Sequence, residues 1–207
     1  KNLWKITKNN HDIYNGFYNS EVNNRLLKKY KYFDVSVANN VFAHIDNIKK
    51  VFLLLNDLMH EKSLIIFEVS YLSDVVNKNL FDTIYHEHLD YHSVIPLVAF
   101  FKKINLKIID IEKVQSHGGS IRVFLAKKTK LRFDKIKKIQ KLIQYEKKLG
   151  INKKTTFIKF HEKLEKEKVK LNEFFNKIKK DVVYGYGAPA KVVTLMNYYN
   201  LNYNNIK

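Results

Sequence analysis

An α/β fold built on a doubly wound, mostly parallel sheet is the class this 207-residue sequence predicts, and three observations carry the prediction. "FDVSVA" (33–38) and "SLIIFEV" (63–69) are apolar almost throughout, as strands buried on both faces are. They alternate with stretches of helical period, the pattern of helices covering a parallel sheet. Finally, "LKIIDIEKV" (106–114) and "SIRVFLAKK" (120–128) are separated only by "QSHGG". That is too short for a helical crossover, so this pair must run antiparallel.

In chain order, "HDIYNGF" (11–17) is a short strand candidate. Ser20 then stands where a helix cap belongs, before Val22, Leu26, Leu27 and Tyr30 on one helical face. After the 33–38 strand, Asp46 or Asn47 opens a helix whose Ile48, Val51, Phe52, Leu55 and Leu58 keep the helical period. Ser93 starts the next, with Leu97, Phe100, Phe101 and Ile104 turned inward, and the hairpin follows. Residues 131–180 are different: dense in Lys, with apolar residues only at helical spacing and Gly150 and Asn152 dividing two helices. "DVVYGYGAPAKVVTLMNYY" (181–199) then predicts a strand, a glycine turn and a helix with Pro189 in its first turn.

Composition narrows the function. The chain carries 38 Lys and Arg against 20 Asp and Glu, a net charge of +18, which points to an anionic partner. The excess is almost all Lys, however, and it accompanies abundant Asn, Ile and Tyr, the mark of AT-rich coding. Arg, the better reader of bases and phosphates, occurs only at Arg25, Arg122 and Arg132, so nucleic acid is not the expected partner. With no cysteine there is neither a disulfide nor a thiolate metal site, and no apolar run reaches the roughly 18 to 20 residues that span a bilayer. A cytoplasmic protein is expected.

Four segments carry chemistry. "FDTIYHEHLDYHS" (81–93) gathers Tyr85, His86, Glu87, His88, Tyr91 and His92. Three readings of it are open on the residues alone: a general acid–base cluster, since histidine titrates near pH 6.5; a metal site using His86 and His88; or a polar loop. "VANNVFAHI" (37–45) sets Asn39, Asn40 and His44 at the carboxyl end of a strand, where open α/β sheets bind ligands. "SHGGSIRVF" (116–124) puts His117 and two glycines into the hairpin turn, which ordinary turn chemistry explains equally well. "GYGAPAK" (185–191) resembles a phosphate cradle at a helix amino terminus, with Lys191 adding charge, although it is an incomplete dinucleotide motif.

Taken together, "NNVFAH", "FDTIYHEHLDYHS", "HGGSIRV" and "GYGAPAK…T…NYY", in this order and spacing, resemble the S-adenosylmethionine-dependent sugar C-methyltransferases, which act on nucleotide-linked 4-keto-deoxy sugars. The resemblance covers essentially the whole chain. It implies a class I methyltransferase (Rossmann-like) sheet ending in an antiparallel hairpin, whose last strand inserts antiparallel. Residues 1–130 would be the later part of that domain, 131–180 a helical connector, and 181–207 the start of a second Rossmann-like, carboxyl-terminal domain. It further implies His88 as general base at C3, Tyr85 and Glu87 orienting or polarising it, and His44 donating near the keto oxygen. Asn39 and Asn40 would lie on the S-adenosylmethionine side, with Gly185, Gly187 and Lys191 serving the nucleotide diphosphate and no metal in this part of the chain.

The sequence also departs from the family pattern. The cysteines of the family's zinc-binding amino-terminal domain, the glycine-rich cofactor loop and the acidic residue for the cofactor ribose are not in this stretch. The expectation is a segment that is incomplete for activity and weak in cofactor binding. Val192 and Val193 stand where relatives commonly carry Gly and Asn. A non-catalytic module binding a nucleotide sugar or another anion, or a metal-dependent enzyme built on the histidines, are the alternatives.

Overall fold

The computed structural model describes residues 11–127, 133–178 and 181–207. The expected boundaries at 130 and 180, the tail of the second hairpin strand at Lys128, and Arg132 lie outside them. A four-stranded sheet forms the centre, from β1 (Phe33–Asn39), β2 (Met59–Ser70), β3 (Lys107–Val114) and β4 (Ser120–Ala126), in the order β1-β2-β4-β3. β1 and β2 are parallel, and β4 inserts between β2 and β3, antiparallel to both. This is a mixed α/β sheet with the inserted antiparallel strand expected of the class I methyltransferase fold.

The register decides which side chains are buried. Ile65, Phe67 and Val69 of β2 share a face with Ile121, Val123 and Leu125 of β4, and all six are fully buried. Against them pack α2 (Ile48–Asp57), α4 (Val94–Lys103) and α5 (Phe133–Leu149) through Phe52, Leu97, Phe101, Ile104 and Ile139. Phe52 is the hub. Its ring stacks on Phe42 at 4.3 Å and meets Phe101 edge-on at 4.8 Å, while Phe42 meets Phe67 at 5.3 Å. Each such fully buried ring contributes about 1.5–3 kcal/mol through burial. Phe42 opens the short 3₁₀ turn Phe42–His44, so the aromatic core also fixes the backbone that carries His44.

Several local expectations need correction. Residues 11–17 form no strand, and Phe17 is 93% exposed. The helix α1 (Ser20–Tyr30) is capped by Asn19, not Ser20: the Asn19 side chain accepts from Val22 N–H at 3.0 Å. β1, expected to be buried throughout, lies at the end of the sheet, with Val35 47% and Val37 62% exposed. An apolar run cannot tell a central strand from an outer one. Nor is there a strand at 181–184. Among the described residues, Val183 and Gly185 of this segment pair with Lys207, Gly185 N–H donating to Lys207 O at 2.9 Å and Lys207 N–H to Val183 O at 2.8 Å. Pro189 is the cap of α7 (Ala190–Tyr199) and not a residue of its first turn.

Polar contacts tie α5 to the sheet and to α4: Lys135 and Lys138 pair with Asp110 of β3, and Glu146 reaches α4. Glu146 is completely buried, and its carboxylate accepts from Val94 N–H at 2.5 Å and Ile95 N–H at 2.9 Å. Ser93 is the cap residue of α4 by position, but its side chain makes no capping bond, so Glu146 satisfies the amino end of that helix from another element. The positive end of the helix dipole offsets the cost of burying this charge. Glu146→Ala would strand two buried N–H groups and should lower stability by about 2–3 kcal/mol, with Glu146→Gln recovering part of the loss. Urea denaturation of the three proteins measures this, and an alanine variant as stable as wild type would contradict the capping role.

Candidate active site

The histidine segment is held in place almost entirely by backbone carbonyls. After β2 the chain forms α3 (Leu72–Lys78), ended by Asn79 in a left-handed conformation, and then the 3₁₀ turn Phe81–Thr83. Thr83 is buried. Its hydroxyl donates to Leu80 O at 2.7 Å, which leaves its own carbonyl directed at the residues that follow. That carbonyl accepts from His88 Nδ1 at 2.8 Å and from the Tyr91 hydroxyl at 3.3 Å. Residues 87–90 are in turn joined to the 42–44 turn: Leu89 N–H donates to Ala43 O at 2.7 Å, and His44 Nδ1 to Glu87 O at 2.8 Å.

These bonds bring three of the expected residues together as rings. His88 lies 4.4 Å from Tyr85 and 4.9 Å from His44, centroid to centroid. Glu87 meets the cluster through its backbone carbonyl and through the charge of its carboxylate; the hydrogen bond that orients His88 comes from Thr83 instead. A carbonyl oxygen only accepts, so Nδ1 of His88 carries the proton and Nε2 presents a lone pair. By the same rule His44 holds its proton on Nδ1, and its Nε2 donates only when the ring is an imidazolium.

The electrostatics favour a neutral base beside neutral phenols. Burial holds His88 below the ordinary histidine value, assisted by repulsion from His44 and Lys191 and opposed by the Thr83 carbonyl and Glu87. Tyr85 is raised by burial and then by the Glu87 charge, and Tyr91 is raised by burial as well. Both phenols therefore keep their protons at neutral pH. His92, buried behind the cluster, is depressed mainly by burial and bonds to the backbone of Phe42, while its Nε2 is buried without a partner.

The remaining expected residues sit around this centre. Asn39 ends β1, and Asn40, in the left-handed region at φ 54°, donates its N–H to Glu68 O at 2.8 Å. Asn39, Asn40 and His44 line a cleft of about 970 Å³ together with Tyr18, Leu55 and Leu89. Lys191, at the start of α7, comes close enough for its charge to act on His88. Gly187 adopts φ 81°, open to glycine, in the exposed stretch before α7. The Gly185 N–H, expected to serve the nucleotide diphosphate, donates to Lys207 O. Among the described residues, no three His, Asp or Glu side chains are grouped to hold a metal ion, and no helix is long and apolar enough to cross a membrane.

What side-chain reasoning missed is Thr83. Its role belongs to a carbonyl, which every residue possesses, and the only hint in the sequence is its place five residues before His88. Glu68 was missed too: its buried carboxylate accepts from Ser116 Oγ and, at 3.0 Å, from Arg122, and these bonds hold it below the ordinary carboxylate range. It thereby links the Asn40 loop to the His117 turn.

Residues 115–207 match the family described as the C-methyltransferase C-terminal domain. The C-methyltransferase NovU of Streptomyces niveus is 28% identical over 192 residues, covering 92% of this chain and 46% of that protein, so the chain spans about half the length of this relative. A solved structure, magnesium protoporphyrin IX methyltransferase from Synechocystis PCC 6803 with bound SAH, superposes with a TM-score of 0.37 at 12% identity, covering 47% of this chain and 46% of that one.

The depressed values of His88 and His92 give the fold a pH dependence of definite sign. Above the ordinary histidine value of about 6.5 both rings are neutral, folded or unfolded, and stability is complete. Below it the unfolded chain binds protons first, so stability declines until the folded rings protonate too. NMR titration should place the His88 midpoint below that of free histidine, and urea midpoints of His92→Asn should fall less steeply than wild type as the pH is lowered. A His88 midpoint at or above the free value would contradict the reading.

Proposed function

We propose, from the match of residues 115–207 to the C-methyltransferase C-terminal domain and the likeness to NovU, that this chain belongs to a C-methyltransferase and that His88 is the general base of a carbon methylation. The intact protein would transfer a methyl group from S-adenosylmethionine to a carbon, C3, of a nucleotide-linked 4-keto-deoxy sugar. The observation that supports this most is the His88 Nδ1 bond to Thr83 O, which leaves Nε2 as an available base on a ring kept neutral by burial.

A neutral C–H offers no electron pair to an electrophilic methyl group, so the proton must leave carbon first. A neighbouring ketone makes that carbon acidic. Nε2 of His88 takes the proton, and the electrons move toward the ketone oxygen. Tyr85, protonated at neutral pH, lies beside His88 and can donate a hydrogen bond to that oxygen, and His44 can do so as an imidazolium. Lys191 supplies positive charge near the growing anion or the diphosphate, and Gly187 lets the backbone before α7 approach it.

The cleft beside β1 fits one side of the cofactor. Its volume lies within the roughly 300–1,000 Å³ of small-molecule sites, and Asn39, Asn40, Asp46 and Asn47 are set among Val37, Val51 and Leu55. That mixture of amides, a carboxylate and apolar walls suits a nucleoside bearing an amino acid. S-adenosylmethionine, when bound, supplies an electrophilic methyl group on a sulfonium.

In the intact gene product, His88→Asn should reduce turnover by about 10²- to 10⁴-fold and leave S-adenosylmethionine affinity unchanged. Steady-state kinetics with a 4-keto sugar nucleotide and calorimetric titration of the cofactor measure the two. Turnover close to wild type would refute the assignment, and a lost cofactor affinity would move His88 to the binding site.

A further inference from the structure

We infer that Glu167, on the helix α6 (Lys154–Lys177), is a positioning residue that keeps His88 in its Nδ1–H tautomer by fixing the Phe81–Thr83 turn from outside the sheet domain. The inference concerns the ring's tautomer, and its catalytic meaning rests on the proposed role of His88 as base.

The contacts form a continuous path. The Glu167 carboxylate accepts from Asn79 Nδ2 and, at 3.4 Å, from the Tyr199 hydroxyl. Asn79 is the left-handed residue that ends α3 and turns the chain toward Phe81. Phe81 lies between Tyr198 and Tyr199 of α7, both ring centroids 5.1 Å away, over a small core completed by Leu164 and Leu201. Two residues on, Thr83 N–H and hydroxyl both donate to Leu80 O, and the Thr83 carbonyl accepts from His88 Nδ1–H. The turn from 79 to 83 is therefore held by α3 on one side and by α6 and α7 on the other.

The energetics show why this matters. The bond from Thr83 O is what distinguishes the two nitrogens of His88; a ring released from it samples both tautomers, and only one presents a base at Nε2. The net free energy of one hydrogen bond is small, so a modest shift of the turn suffices to mix the tautomers. Phe81 has no polar group to offer a substrate and the Asn79 Nδ2 is engaged by Glu167, so their contacts give α6 and α7 a mechanical part in the site.

The test is a two-bond ¹H–¹⁵N correlation spectrum of the 207-residue chain labelled at its 8 histidines. It is recorded at about pH 8, above the ordinary histidine value, and His88 is assigned with His88→Asn. Wild type should show His88 in the single Nδ1–H pattern. Glu167→Ala and Asn79→Ala should each lose it for a mixed pattern, and Glu167→Gln, which can still accept from Asn79, should restore it. Should Glu167→Ala fail to fold, Asn79→Ala, which leaves α6 unaltered, decides the question. A single Nδ1–H tautomer surviving in Asn79→Ala, or an Nε2–H tautomer in wild type, would overturn the inference. The proposed function fails separately: His88→Asn retaining turnover would remove the base and leave the tautomer result standing.

Discussion

Everything at this site depends on one property of one bond: a carbonyl cannot donate. Because Thr83 O accepts from His88 Nδ1, the imidazole has a defined proton and a defined lone pair. A carboxylate in the same place would also orient the ring, but it would raise the pKa and favour the imidazolium. A neutral carbonyl orients it with far less of that effect, and burial then holds the ring neutral. Orientation and basicity are set by different parts of the structure.

The bond survives only if two backbone turns stay where they are, and each is anchored by buried aromatic rings. Phe42, stacked on Phe52, holds the turn that carries His44 and accepts Leu89 N–H. Phe81, between Tyr198 and Tyr199, holds the turn that ends in Thr83. The two aromatic clusters belong to different cores, one beneath the sheet and one between α6, α7 and the loop. Polar chemistry is thus suspended between two apolar anchors, while Glu146 fastens α5 to the helix that follows His92.

Much of this was legible in the residues, and the limits have physical causes. Alternating apolar runs and helical periods gave the four strands and the helices α2 and α4, because their burial pattern is written one residue at a time; the short helix α3 at Leu72–Lys78 was not read. The hairpin followed from loop length alone. The cap at Asn19 against Ser20, and the exposed flank of β1, were not legible, since both depend on neighbours that a local pattern does not name. The supposed strand at 181–184 has the right residues and, among the described residues, pairs with Lys207 rather than with a strand of the sheet. At the site, titratable side chains marked the cluster from Tyr85 to His92 and His44 as candidates, and the family resemblance singled out His44, Tyr85 and His88 among them. Thr83 and Glu167 act through a carbonyl and through a contact 88 residues from Asn79, and neither leaves a local mark in the sequence.

The account stands or falls on whether this cluster removes a proton from carbon before any methyl group is transferred. The direct measurement is solvent-deuterium exchange into the carbon beside the ketone of a 4-keto sugar nucleotide, catalysed by the intact gene product with no methyl donor present. The account predicts exchange that rises with pH to a plateau, with a midpoint below the ordinary histidine value and dependence on His88. Exchange that is absent while methylation proceeds, or that is unchanged when His88 is replaced, would contradict it.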